Sequence, residues 1–289
     1  MFGENTTYIF EGWHRAYYMT DWKSTLITAG CDENWSENLS NSLAEKDWSP
    51  SLLPIVSKLS LGERLSIEDG HVLYSHPNLN EIGQLANLVK LARYDTKVFF
   101  NSNVHINQTN ICVLACKFCA FRRSKRQSDA YELSLDNYLL EMDKYANLVD
   151  EIHSVGGLHP DWRIEHYEQL ITAAKDRYPN IAIKALTAVE IKHLSKQSDI
   201  SYSQTLRRLK AAGLDSLPGG GAEILNDDVR AVICYGKESS DEYLEIHRQA
   251  HSIGIPSNCT MLFGTIETIH DRLIHMDKLR NLADEYGLF

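Results

Sequence analysis

The chain has 289 residues, 43% of them apolar and 24% charged, with a formal net charge of −10. That length buries a sizeable core in one large or two modest domains, while the acidic balance excludes the broad basic face of a non-specific nucleic-acid binder. No run approaches the roughly 18 consecutive apolar residues of a membrane helix, and Met1–Arg15 lacks a basic start followed by an apolar stretch, so no secretory signal is expected and the protein reads as cytoplasmic.

Residues 1–50 hold four of the five tryptophans (Trp13, Trp22, Trp35 and Trp48) and a polar run from Cys31 to Ser42 without a clear period; they read as an N-terminal extension. Residues 51–97 turn helical, with Ile82, Leu85, Ala86, Val89 and Leu91 close to one helical face. From residue 98 onward an α/β core is expected. Short apolar runs with strand character lie at 151–155, 181–186, 214–217 and 257–262, with helical stretches between them. Tyr167, Leu170, Ile171 and Ala174 recur at helical spacing. Ser201 with Gln204, and Ser239 with Glu242, form capping-box patterns, and the helices they open stop at Gly213 and Gly254. Such strand–helix repeats imply a parallel sheet with helices outside, either a barrel or an open doubly wound sheet. In both, chemistry gathers at the carboxyl ends of the strands. There the sequence places Gly156, Gly157 and His159, then Thr187 and Glu190, then Pro218 to Glu223, then Met261 to Gly264.

Of six cysteines, three fall within eight residues as Cys112-x3-Cys116-x2-Cys119. The chain is too large and too cysteine-poor for a disulfide scaffold. Three thiolates on a short loop suit three irons of a [4Fe–4S] cube, whose fourth iron is then open to chelate the amino and carboxylate groups of S-adenosylmethionine. One electron from such a cluster cleaves the carbon–sulfur bond to give methionine and a 5′-deoxyadenosyl radical, chemistry carried by the cofactor and directed by the protein. Phe118 would shield one side. Two other readings stay open. A structural zinc site needs a fourth ligand, for which His105 is the candidate. An electron-transfer cluster needs a fourth cysteine, and Cys234 and Cys259 are isolated in sequence.

Further candidates carry a functional and a plain reading each. Gly156 and Gly157 permit close backbone approach to the methionine moiety, or simply a tight turn. His159 can bind a carboxylate or carry a proton, or stand solvated in a loop. Glu190 and Glu223 can hold ribose hydroxyls or the adenosine amine or act as a base, or form a salt bridge or helix N-cap contact. Thr187 can donate to the cofactor or pack at a strand end. Arg122, Arg123 and Arg126 can fork onto carboxylates, or form a solvated basic run.

The segment from Val98 to Arg123, with its cysteine triplet, resembles the radical enzymes of the futalosine route to menaquinone and their deazaflavin-synthase cousins. His153–Pro160, Ile183–Ile191, Gly213–Ile224, Pro256–Gly264 with Glu267 and Thr268, and the upstream Gly62–Gly70 look most like the aminofutalosine synthases. The resemblance covers about residues 50 to 289. It implies a partial (β/α) TIM-type barrel of the radical SAM class. It also implies a [4Fe–4S] cluster on Cys112, Cys116 and Cys119, and S-adenosylmethionine consumed as co-substrate near Gly156, Gly157, Thr187 and Glu190. His159 and Glu223 are the expected catalytic residues. The implied reaction adds the adenosyl radical to the vinyl ether of 3-[(1-carboxyvinyl)oxy]benzoate, an aromatic dicarboxylate, and gives 6-amino-6-deoxyfutalosine and bicarbonate. A reductant such as flavodoxin or ferredoxin would supply the electron. Sister activities are dehypoxanthine futalosine cyclase and a deazaflavin-synthase component; a non-catalytic metal-binding fragment is the alternative of another class. Departures are Gln108 and Tyr235 where proline is usual, Leu114-Ala115 for a Tyr-Arg pair, and Leu158 where many radical enzymes place Glu after two glycines. The chain stops at Phe289 where relatives continue, so a barrel short of its last strands is expected. Residues 1–50 have no recognised counterpart.

Overall fold

The computed structural model describes residues 30–289; Trp13, Trp22 and the segment read for a signal lie outside them. The first described helix, α1 (Trp35–Ala44), repeats buried side chains at Trp35, Leu39 and Leu43, one per turn. They share a core with Leu52 and Ile55, around the start of α2 (Leu53–Ser60), and with Leu85 and Ala92 of α4 (Leu79–Tyr94). Residues 31–44, which the sequence assigns to an extension, thus pack with the helical segment that follows. Between α2 and α4 runs α3 (Ile67–Ser75), opened by a Ser66/Asp69 capping box. On α4, Leu85 and Ala92 face inward while Leu91, expected on the same face, is 37% exposed.

The sheet is parallel in the order β1 (Asn103–His105), β2 (Glu151–Ser154), β3 (Ala182–Ala185). Val104 aligns with Ile152 and Ile152 with Ile183, and both isoleucines are wholly buried. The runs at 214–217 and 257–262 do not form full strands. They contribute single parallel bridges, Lys184 to Ser216 and Leu217 to Ser257, that carry the sheet order on to a fifth segment. Ser257 N–H in turn donates to Leu288 O at 2.9 Å.

Helices alternate with these segments: α5 (Leu135–Asp143), α6 (Ile164–Arg177), α7 (Ala188–Ser198), α8 (Tyr202–Ala212), α9 (Asp227–Ile233), α10 (Ser240–Ser252) and α11 (Ile269–Tyr286). Tyr167, Leu170, Ile171 and Ala174 form the buried stripe of α6, and Tyr243, Ile246 and Ala250 that of α10. These stripes close one core over β2 and β3. The capping boxes at Ser201/Gln204 and Ser239/Glu242 form as expected. Gly213 and Gly254 end their helices at φ 111° and 73°, a region that favours glycine. The result is an α/β partial barrel. Among the described residues no helix is long and apolar enough to cross a membrane.

Candidate cluster and cofactor site

The cysteine loop leaves β1 and is closed on itself at its root. Cys112 N–H donates to Arg123 O at 3.0 Å and Arg123 N–H to Asn110 O at 2.7 Å. The Asn110 side chain binds Asp129 O and Tyr131 N–H. The Arg123 guanidinium spans the loop, donating to Ala120 O at 2.8 Å and Arg122 O at 2.9 Å, with Nε on Asp129. Arg123 is therefore spent on holding the loop's shape. Arg122 keeps a buried Nε without a hydrogen-bond partner, and Arg126 is exposed.

Cys112, Cys116 and Cys119 are all free thiols and partly accessible. Lys117 N–H docks on Ile233 O at 2.9 Å, which brings Cys116 against Ile224, Val229 and Cys234. Cys234, isolated in sequence, is thus a buried neighbour of Cys116. Burial pushes the Cys116 thiol up to about 11, against the pull of Lys237. Among the described residues no three His, Cys, Asp or Glu side chains gather closely enough for a single metal ion. His105, the zinc candidate, sits on β1 with its ring 4.2 Å from that of His153. A cube presents separate iron corners to separate thiolates, so three free, spread thiols on one pinned loop fit it.

The loop after β2 is fitted against the root of the cysteine loop. A Cβ on Gly157 would lie 2.1 Å from Ile111 O and 3.0 Å from Cys112 Cβ; one on Gly156 would lie 2.8 Å from Gln108 Nε2. Gly157 N–H donates to Thr109 O at 2.9 Å and Val113 N–H to Leu158 O at 3.1 Å. The two glycines therefore serve close approach between two protein loops.

Glu190 is buried at the base of this contact. Its carboxylate accepts Gly156 N–H at 2.9 Å and Gln108 Nε2 at 3.4 Å on one oxygen, Thr187 N–H at 2.7 Å and Thr187 Oγ1 at 2.6 Å on the other. It completes the capping box of α7 while tying the β2 and β3 loops together. Burial raises its pKa against these donors. Leu186, just before Thr187, holds φ at 62°, unusual for a non-glycine residue.

The loop after the fourth segment, Pro218–Glu223, is held from behind by Arg230 of α9. Only 4% exposed, Arg230 donates to Gly221 O at 3.0 Å, Ala222 O at 2.5 Å and Glu238 O at 2.7 Å. Its guanidinium is 3.1 Å from the Glu238 carboxylate, but neither oxygen of Glu238 is aligned for a hydrogen bond. Burial pushes Glu238 up to about 7 in spite of Arg230 and Lys237. Glu223, at φ 46°, pairs with Lys237, whose ammonium stands 5.6 Å from the Phe118 ring centroid. Thr260 and Tyr243 hydroxyls both donate to Gly219 O.

The structure thus brings together the three cysteines, both glycines, Thr187 and Glu190 through Gln108, and sets Glu223 near Cys116 through Lys237. His159 takes another direction. Its ring is buried and stacked on Trp162 at 4.4 Å, with Nδ1 accepting Asp161 N–H and Nε2 3.2 Å from Glu132 without hydrogen-bond alignment. Sequence reading missed Gln108 as a contact, Arg230, Lys237 and Glu238. For Arg230 and Glu238 the available signal was a charged pair flanking the very segment, Ile233–Cys234, that packs on the cysteine loop.

Residues 106–279 match the family model of the radical SAM superfamily. The chain is 44% identical over 241 residues to the aminodeoxyfutalosine synthase of Thermus thermophilus, covering 83% of this chain and 65% of that protein. It is 36% identical to the cyclic dehypoxanthine futalosine synthase of Streptomyces coelicolor, over 82% of this chain and 61% of the relative. It therefore spans less than two thirds of the length of either. A maturase of the [FeFe]-hydrogenase shares the fold with a TM-score of 0.66 at 18% identity, covering 89% of this chain and 55% of that one. With the matched model spanning more than half its length, from the end of β1 into α11, the chain belongs to the radical SAM superfamily.

Proposed function

We propose that this chain forms the radical SAM part of an aminofutalosine synthase, an enzyme that joins the adenosyl group of S-adenosylmethionine to 3-[(1-carboxyvinyl)oxy]benzoate. The observation that carries the reading is a pinned loop of three free thiols at the carboxyl end of β1, with the glycine loop of β2 locked against its root. The 44% identity to an aminodeoxyfutalosine synthase, against 36% to a cyclic dehypoxanthine futalosine synthase, supports this substrate over the sister's.

Cys112, Cys116 and Cys119 would hold a [4Fe–4S] cluster, which with bound S-adenosylmethionine supplies a 5′-deoxyadenosyl radical when reduced. The family implies both groups. Around them the chain's own residues divide the work. Gly157 and Leu158 fix the root of the cysteine loop through backbone contacts. Glu190, Thr187 and Gln108 are positioning residues, since every lone pair of the Glu190 carboxylate is used inside the protein. Lys237 sets a cation beside Cys116 and Phe118, where it offsets thiolate charge. Glu223, half-committed to Lys237, stays the candidate for contact with the nucleoside or substrate. Trp162 and Glu132 support a role for His159 in ordering its loop rather than in moving protons. A small one-electron donor such as flavodoxin or ferredoxin is the proposed partner.

Mass spectrometry of the product formed by the anaerobically reconstituted, reduced protein with S-adenosylmethionine and the vinyl-ether benzoate tests this. Appearance of 6-amino-6-deoxyfutalosine supports it. Turnover of dehypoxanthine futalosine, with no adenine-containing product from the benzoate, refutes the substrate assignment in favour of the sister reaction.

A further inference from the structure

A cavity of about 590 Å³ lies between α2, α3, α4 and α11, within the size range of small-molecule sites. Nothing that lines it belongs to the cysteine loop or the strand-end loops, so it is separate from the proposed reaction site. Its lining is largely aliphatic, with Leu65, Leu73, Ile82, Leu85 and Val89 around it and Arg93 among them.

The other charges of the cavity are accounted for. Arg64 forks onto Asp284. Arg280 donates to Leu65 O at 2.8 Å and pairs with Asp277. Glu63 is exposed at the rim. Arg93 differs. It makes no ion pair among the described residues; its Nε, like that of Arg280, is buried without a hydrogen-bond partner among them. Its guanidinium carbon is 4.8 Å from the Trp35 ring centroid, a contact that uses one face of the cation and leaves its in-plane N–H groups unengaged. Burial disfavours its charge, against the pull of Cys31 and Tyr94 and with a smaller push from Arg64. A desolvated guanidinium is costly unless something anionic meets it.

We propose that this cavity binds a small amphipathic carboxylate, its headgroup on Arg93 and its hydrocarbon body against the aliphatic side chains of α3 and α4. The ligand would sit between the N-terminal helices and α11, whose Ala283 also lines the cavity. A cation without an ion pair among the described residues, set in a largely aliphatic lining, matches a small molecule with a single anionic end and a hydrocarbon body.

Decanoate is the probe, with 1-decanol and decylamine as controls for the headgroup, each titrated calorimetrically below its micelle concentration. Decanoate is expected to bind at one site per chain and to raise the thermal midpoint. Decanol, and decanoate with Arg93→Met, should bind about ten-fold more weakly, the weight of one hydrogen bond to a charged group. Ala86→Phe, which adds a ring to the lining seven residues before Arg93 on α4, should weaken binding at least as much and serves as the second variant if Arg93→Met fails to fold. Equal binding of decanoate and decanol, undiminished binding by either variant, or a self-associated chain in which decanoate finds no site would overturn the proposal.

Discussion

Gly157→Ala is the sharpest perturbation of the cysteine loop. The new Cβ would fall 2.1 Å from Ile111 O and 2.5 Å from Ile111 C, both backbone atoms. Ordinary contact requires the two loops to part by about 1 Å in a close-packed region, an overpacking cost of about 1–3 kcal/mol. Parting them also breaks or bends the Gly157 N–H bond to Thr109 O (2.9 Å) and the Val113 N–H bond to Leu158 O (3.1 Å). At about 1 kcal/mol each, the sum is about 3–5 kcal/mol, a large share of a typical domain's about 5–15 kcal/mol. Cys112 moves with Ile111, so loading of the loop should fail together with stability. Urea unfolding of the apoprotein, alongside iron and sulfide analysis after anaerobic reconstitution, reads both. Gly83→Ala is the internal control: it lies within α4 with nothing inside 4 Å of its Cβ and should gain up to about 1 kcal/mol. A Gly157→Ala protein that unfolds at the wild-type urea concentration and takes up a full complement of iron would refute the loop-contact argument.

Cys116→Ala should remove most iron and sulfide while leaving the fold intact, because the side chain packs at the edge of a small apolar cluster; a fully loaded variant contradicts the ligand set. Arg230→Met strands the buried Glu238 carboxylate and four carbonyls, and should cost about 3–5 kcal/mol in urea unfolding; adding Glu238→Gln should recover part of it, and a purely additive double variant would rule out the pairing. Stability should also fall in acid. Burial holds His247 down to about 3 and His251 to about 4, so the folded chain refuses protons that the unfolded chain takes up below about pH 6.5; stability is complete above that pH and drops by about 2 kcal/mol per group by about pH 5. Glu238 acts oppositely: with its pKa raised from 4.5 to about 7, its contribution is present at low pH and is lost as pH rises between those values. Thermal midpoints of Glu238→Gln across pH should lack that decline between about pH 4.5 and 7, and an unchanged profile would count against the buried carboxyl.

Much of the architecture was readable because it rests on local signals. Ser201/Gln204 and Ser239/Glu242 announce helix starts in four residues each, and the 3.6-residue rhythm of Tyr167 to Ala174 needs no tertiary information. The segments at 214–217 and 257–262 fall in the expected order but form single bridges instead of strands; residues 214–217 are largely buried, whereas in the second segment only Ser257 is. β1 is not announced by the sequence because three residues, exposed Asn103 and His105 about a half-buried Val104, are too few to establish a period. The cysteine triplet is legible as a unit because its members are neighbours in sequence. The rest of the site was not, because its contacts are long-range: Gln108 meets Glu190 across 82 positions. Of the two readings of Glu190, its hydrogen bonds make the helix N-cap contact; His159, expected as catalytic or else solvated, lies buried against Trp162.

The manner in which these loops are secured has an evolutionary corollary. Glu190 belongs to the segment after β3 but grips the one after β2, and Arg230 of α9 grips the turn before it. A replacement at any of these clasps changes the cost of replacing the others, so their effects should be strongly non-additive. Along a lineage such positions would drift together or not at all, and a designer wishing to reshape the mouth would have to exchange whole clasps instead of single residues.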